Sequence, residues 1–331
     1  MSLIYGHLYY WTCPSQQRYI VRLLMMVPIY SIDSWLSLIF QEQSIYFDIF
    51  RDCYEAYVMY QFFCLLTVYI EGDDNSGKLF EMLEKKDEIH YPYPLCFLRP
   101  FKPSPWFLLV SKQFILQYVV VKPFISIIAA VLESLDLYNE GNFLPWYGFV
   151  YCTTLNLTSV NFSMYFLIWF YVTSSDELQE YKPIPKFLCI KSVIFFSFWQ
   201  GVLIAALSYF EVIPDVGEWS KEDISRSLQD FIICIEMFLL SIAHHFVFDY
   251  TAYKVPKMKK SIIQRPLRHF SQVINQKDMF IDIKNTYNIN KYKEAKRQYK
   301  ASKERYIELK KSSISLEMVT DETNVELESA L

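Results

Sequence analysis

The sequence predicts an all-α fold: a polytopic transmembrane bundle of six helices followed by a basic cytoplasmic helix. Three observations carry this. Apolar residues make up 53% of the 331 and aromatic residues 18%, which points to a solvent other than water. They fall in blocks of about twenty, the length that crosses a hydrocarbon layer of roughly 30 Å at 1.5 Å per residue. Lys and Arg collect between the blocks, and on alternate connections.

The spacing places spans at about residues 19–40, 49–70, 106–132, 146–173, 187–210 and 228–251. Residues Leu3 to Trp11 are apolar but too short to cross, and no small-residue cleavage site follows them, so they do not read as a signal peptide. Residues 1–18 are then a short cytoplasmic segment and 19–251 the transmembrane domain. Positive charge orients the bundle, because short cytoplasmic loops accumulate Lys and Arg. Arg18 and Arg22 flank the start of the first span; Lys78, Lys85, Lys86, Arg99 and Lys102 follow the second; Lys182 and Lys186 follow the fourth. The opposite connections, 41–48 and 134–145, carry none, and 211–227 has only Lys221 and Arg226 among several acids. Both ends of the chain are therefore expected in the cytoplasm, in a plasma or endomembrane setting. Trp106, Trp146, Trp169 and Trp219 fall near borders, where an amphipathic ring is favoured.

Beyond the last span the composition turns over. From 254 to 311 the chain carries 17 Lys or Arg against 5 Asp or Glu. Residues 252–316 read as a basic helical tail and 317–331 as an acidic, disordered end. Tyr292, Tyr299 and Tyr306 repeat every seven residues, consistent with a helix resting on anionic headgroups or with a short coiled coil. Membrane lipid is the nearer partner for this charge than nucleic acid.

Several function classes are excluded by what is missing. With 7 Gly in the chain there is no phosphate-cradling loop, and no HExxH or GxSxG pattern occurs. The 7 Cys are too scattered for metal spacing; Cys13 and Cys96, near expected borders, are candidate palmitoylation sites. No cofactor, metal or enzymatic chemistry is expected. Asn156 and Asn161 open glycosylation patterns inside a span, where the transferase does not reach.

The informative residues are polar groups within spans, since each costs roughly 2.5 to 3.5 kcal/mol at mid-membrane unless partnered or wet. Asp33, Glu55, Lys122 and Glu236 share a depth band, and His244 sits two turns deeper than Glu236. The expectation is a polar lining for solute or protons in which Lys122 neutralises one acid; the rival is a charge network that fixes packing. Gln200 extends the lining, as Asn161 could. Arg51, one turn before Glu55, is placed to pair with it. Pro123, after Lys122, should disturb the helix at Val119.

Specific runs then resemble a known family. They are Gln17 to Arg22, Met26 to Tyr30, Asp33 to Leu38, Arg51 to Val58, Lys122-Pro123, Lys191 to Gly201, Glu236-Met237 and Ala243 to Phe246. Together they resemble the family joining the transmembrane protein 184 group to the organic solute transporter alpha subunit, nearer the former, over most of residues 10 to 290. Family members have seven spans, so the resemblance implies that Leu3 to Trp11 stands where a first helix ends. It also implies facilitated movement of amphipathic organic solutes such as steroid or sterol conjugates, with a single-span partner subunit or a homo-oligomer. The alternative it leaves open is a non-transporting scaffold or receptor in endomembrane trafficking or signalling.

Overall fold

The computed structural model describes residues 1–40, 44–72, 78–86, 88–93, 95, 97, 99–103, 105–135, 137–138, 144–210, 221–254, 266–286 and 297. Among these the chain is helical, apart from an isolated antiparallel bridge between Ile89 and Phe101. The helices are α1 (Ser2–Tyr9), α2 (Pro14–Leu24), α3 (Met26–Ile39), α4 (Ser44–Glu71), α5 (Lys78–Lys85), α6 (Pro105–Ser134), α7 (Gly148–Thr173), α8 (Ser175–Leu178), α9 (Pro183–Tyr209), α10 (Lys221–Val247), α11 (Pro266–Ile274) and α12 (Lys277–Thr286). Residues 1–276 form one compact unit and 277–331 another. In the second unit α12 is the described helix; Tyr292, Tyr299, Tyr306 and the acidic end lie outside the described residues.

Among the described residues five segments are long and apolar enough to cross a membrane: Pro14–Ile39, Tyr46–Glu71, Trp106–Ser134, Gly148–Thr173 and Ile224–Tyr253. The sixth expected crossing, about 187–210, falls on the 27-residue α9. The first segment is not one helix. The ring of Pro28 opposes the carbonyl four residues back, at Leu24, and the chain breaks there into α2 and α3. Pro123 has the opposite outcome: α6 runs unbroken through it for 30 residues.

α4 lies at the centre, packed against α2, α3 and α6. Its Ala56, Val58, Met59, Phe63, Leu65 and Leu66 are almost fully buried, so the apolar stripe of this helix is spent on protein rather than lipid. The outer helices keep apolar faces exposed, for instance Phe124, Ile127 and Ile128 on α6 and Phe238, Leu239 and Ile242 on α10. Lipid takes the place of a partner for such surfaces.

α1 is held at the end of the bundle where α10 terminates, called here the tail end; the opposite end, where α3, α6 and α9 finish, is the far end. Gly6 makes the docking close, because a Cβ there would stand 2.8 Å from the Tyr250 ring. His7 donates its Nε2–H to the Phe248 carbonyl at 2.9 Å. It is fully buried beside the Tyr250 and Tyr253 rings. Burial opposes the charged imidazolium and pushes the His7 pKa down to about 4. Between about pH 4 and 6.5 the unfolded chain therefore binds a proton here that the folded chain does not. Stability is full above 6.5 and is lost as pH falls toward 4, by on the order of 3 kcal/mol. Melting curves of the detergent-solubilised protein should show this loss, and His7→Gln, which keeps the donor without titrating, should show much less of it. An equal acid sensitivity in both proteins would rule His7 out as its source.

Candidate functional site

Helix rotation decides which polar groups meet. At the far end α4 turns Arg51 toward α3 and α10, where its guanidinium lies 3.7 Å from Asp33 and 3.4 Å from Asp230 and also pairs with Asp48 one turn back. Asp33 and Asp230 are 3% and 5% exposed, so one cation holds two buried carboxylates and a third at the edge. Arg226 closes this end by donating to the Ser44 hydroxyl at 3.2 Å. Removing several charges from water is costly, and such a cluster persists only if its partners stay together.

The expected lining is thereby divided into separate pairs. Lys122 meets Asp52 at 2.9 Å. Glu55 lies within electrostatic reach of Tyr118, Lys191 and Lys122 as well as of Arg51. Arg51 thus pairs across helices rather than with Glu55 on its own. Gln200 donates to Glu236, joining α9 to α10. His244 is buried and donates Nδ1–H to the Leu240 carbonyl at 2.7 Å, stacked on Phe248. Its Nε2 is buried without a hydrogen-bond partner. Cys13 is half-buried at the start of α2, and Cys96 lies outside the described residues.

The sequence reading missed Asp230, although a signal for it exists. Asp230, Met237 and His244 recur every seven residues, and with Ile233 and Leu240 they make the buried stripe of α10. Glu236 lies beside this stripe, so Asp230 is the acid that shares the interior face with His244.

Lys122 and Asp52 are near enough to test as a unit. Lys122→Met should destabilise the protein by about 1 to 3 kcal/mol, and Lys122→Met with Asp52→Asn by less, because a stranded charge costs more than a missing pair. Thermal melts of the two singles and the double decide it; strictly additive losses would count against the pairing.

Nothing in the sequence pointed to a cavity of about 1020 Å³ along the α6–α7 seam. Its tail-end wall is a cage of rings around Trp169, with centroids of Tyr91, Phe101 and Phe107 at 4.6, 4.8 and 4.8 Å. Phe114 and Phe166 stack at 4.3 Å farther along. Three polar side chains on α7 that line it donate to their own helix: Thr154 to Val150 O, Thr158 to Thr154 O and Asn161 to Leu157 O, each at 2.7 Å. That makes them inexpensive in an apolar setting and leaves oxygen acceptors free for a guest. A second cavity, about 430 Å³, opens at the far end of the same seam, with Asp52, Lys122, Asn156 and Arg226 in its walls. Leu157 lines both.

An aromatic cavity of this size can enclose a rigid organic molecule, and the ion pair in the neighbouring one can meet a polar group. The sequence pattern described as organic solute transporter Ostalpha matches residues 1–253. A transmembrane protein 184 homolog of Dictyostelium discoideum is 43% identical over 257 residues, covering 77% of this chain and 50% of that protein. The chain spans about half the length of this curated relative. No solved structure matches.

Proposed function

This chain belongs to the organic solute transporter Ostalpha family, and from that premise we propose that it moves amphipathic organic solutes, of the steroid or sterol-conjugate kind, by facilitated transport. The observation that carries the reading is the aromatic cavity on the α6–α7 seam. A solute enters it from the lipid with its rings against Phe114, Phe166 and Trp169. Passage beyond Leu157 brings its polar group to the Lys122–Asp52 pair in the second cavity. In this reading Lys122 serves the pathway directly, with Glu55 tuning it. Asp33 belongs to the Arg51 network that fixes the helices, and Gln200, Glu236 and His244 hold α9 and α10 in place.

The bundle is read as six spans, α9 included, with both ends in the cytoplasm; the alternation of Lys and Arg among the connections supports that orientation. The basic stretch after α10 then faces the anionic leaflet.

Flux in proteoliposomes tests the transport reading. Labelled sterol sulfate should equilibrate faster than in protein-free vesicles. Thr158→Trp, which puts an indole into the cavity from an exposed position, should slow it about tenfold, equivalent to roughly 1.4 kcal/mol of lost binding. The melting temperature should stay within a few degrees of the parent. Background flux with the parent protein, or full flux with the cavity filled, would sink the proposal.

A further inference from the structure

Glu236 on α10 and Gln200 on α9 meet in the seam between these helices, and neither lines the two cavities. One turn on from each, Leu239 and Leu203 are exposed, so this seam faces hydrocarbon. The Gln200 amide Nε2–H donates to Glu236 Oε1. Two oxygens are left over: Glu236 Oε2 and Gln200 Oε1 are buried atoms without a hydrogen-bond partner. An ionised carboxylate only accepts hydrogen bonds, and so does an amide oxygen. With Glu236 charged, the pair would keep one bond and bury two orphan acceptors, one of them part of an anion. A proton on Oε2 resolves this. It donates to the amide oxygen, so that acid and amide close a ring of two parallel hydrogen bonds with no net charge.

The ionisable groups around the seam are engaged elsewhere. On α10 itself, Asp230 pairs with Arg51, His244 gives its Nδ1–H to the Leu240 carbonyl, and the Cys234 thiol is neutral at ordinary pH. On α9, Lys191 lies in the field of Glu55. On α3, which also packs against α10, Asp33 shares Arg51, and Tyr30 lies in the field of Arg51 and Glu55. Among the described residues no charged side chain acts on Glu236. We propose that Glu236 and Gln200 form a proton-binding site inside the membrane: the acid stays protonated at neutral pH, is reached from the lipid, and clasps α10 to α9 as a neutral pair. Loss of the proton sets carboxylate against amide oxygen and loosens the clasp. The site needs no solute and no flux, so it stands or falls apart from the transport reading.

Infrared spectra of the full chain in phosphatidylcholine nanodiscs at about pH 7 test this, because the acid carbonyl band belongs to protonated carboxyls alone. Glu236→Gln should remove one such band. That variant keeps a donor and an acceptor for Gln200, so it should fold as the parent does and melt within a few degrees of it. Gln200→Leu should move the band to higher frequency, as an acid does on losing its hydrogen-bond partner. Dicyclohexylcarbodiimide, which partitions into lipid and attacks protonated carboxyls, gives a second readout. The carboxyl proton passes to a carbodiimide nitrogen while the carboxyl oxygen adds to the central carbon, and nothing leaves. Peptide mass spectra should show Glu236 labelled about tenfold more than Asp52, whose charge is held by Lys122. An acid band unchanged in Glu236→Gln, a band at the parent frequency in Gln200→Leu, or labelling of Glu236 no greater than that of Asp52 would overturn the proposal.

Discussion

Arg51→Met is expected to cost about 3 to 5 kcal/mol of stability, since it strands buried carboxylates that have no route back to water. A membrane domain with a typical margin of about 5 to 15 kcal/mol would lose much of its folded population. Asp33 and Asp230 sit within 3.7 Å and 3.4 Å of the guanidinium and are nearly inaccessible. Removing their charge as well should restore part of the loss. The triple variant Arg51→Met, Asp33→Asn, Asp230→Asn should therefore express as a monodisperse peak more strongly than Arg51→Met alone. The two neutral amides need only ordinary hydrogen bonds, whereas two carboxylates without a cation repel. Size-exclusion profiles in mild detergent measure this. If the single variant is as monodisperse as the parent, or the triple is worse than the single, the network does not hold the three helices as described.

Trp169→Ala should be of similar size, about 3 to 5 kcal/mol, the usual cost of deleting a large buried ring. Trp169 is 6% exposed and touches Tyr91, Phe101, Phe107, Tyr165 and Phe166. It joins the 88–103 segment to α7 and forms the tail-end wall of the cavity. Without it that wall should slacken, so protease cutting near Tyr91 to Phe101 should accelerate along with the drop in melting temperature. Trp169→Phe keeps most of the ring contact and should cost about 1 kcal/mol or less. Equal losses for Ala and Phe would assign the effect to the indole N–H rather than to packing.

These two residues show where the sequence was and was not legible. Arg51 was visible as a polar residue near a border, and its neighbour Glu55 was the natural partner along the helix. Besides Asp48 on its own helix, the partners it takes lie on α3 and α10, because α4 is central and presents Arg51 across the bundle. Trp169 read as a border ring. Its role as the hub of an aromatic cage depends on Phe101 and Tyr91, which belong to a loop whose course no periodicity reveals. The cavity was likewise unreadable, since an empty volume has no residue of its own and arises from how two helices splay.

What the sequence alone determined is the all-helical, multi-pass membrane character of the chain and its family. Apolar runs of about twenty residues, flanked by charge, are local properties, and burying a backbone in hydrocarbon leaves the helix as nearly the sole solution. Even the interruption at Met25 has a local cause in Pro28. The tertiary structure alone decided which cation holds which acid, where the rings close a cavity, and that Gln200 meets Glu236 across the α9–α10 seam. Those outcomes turn on helix rotation and tilt, where a shift of an ångström or two exchanges one hydrogen-bond partner for another, and no window of sequence encodes that distance.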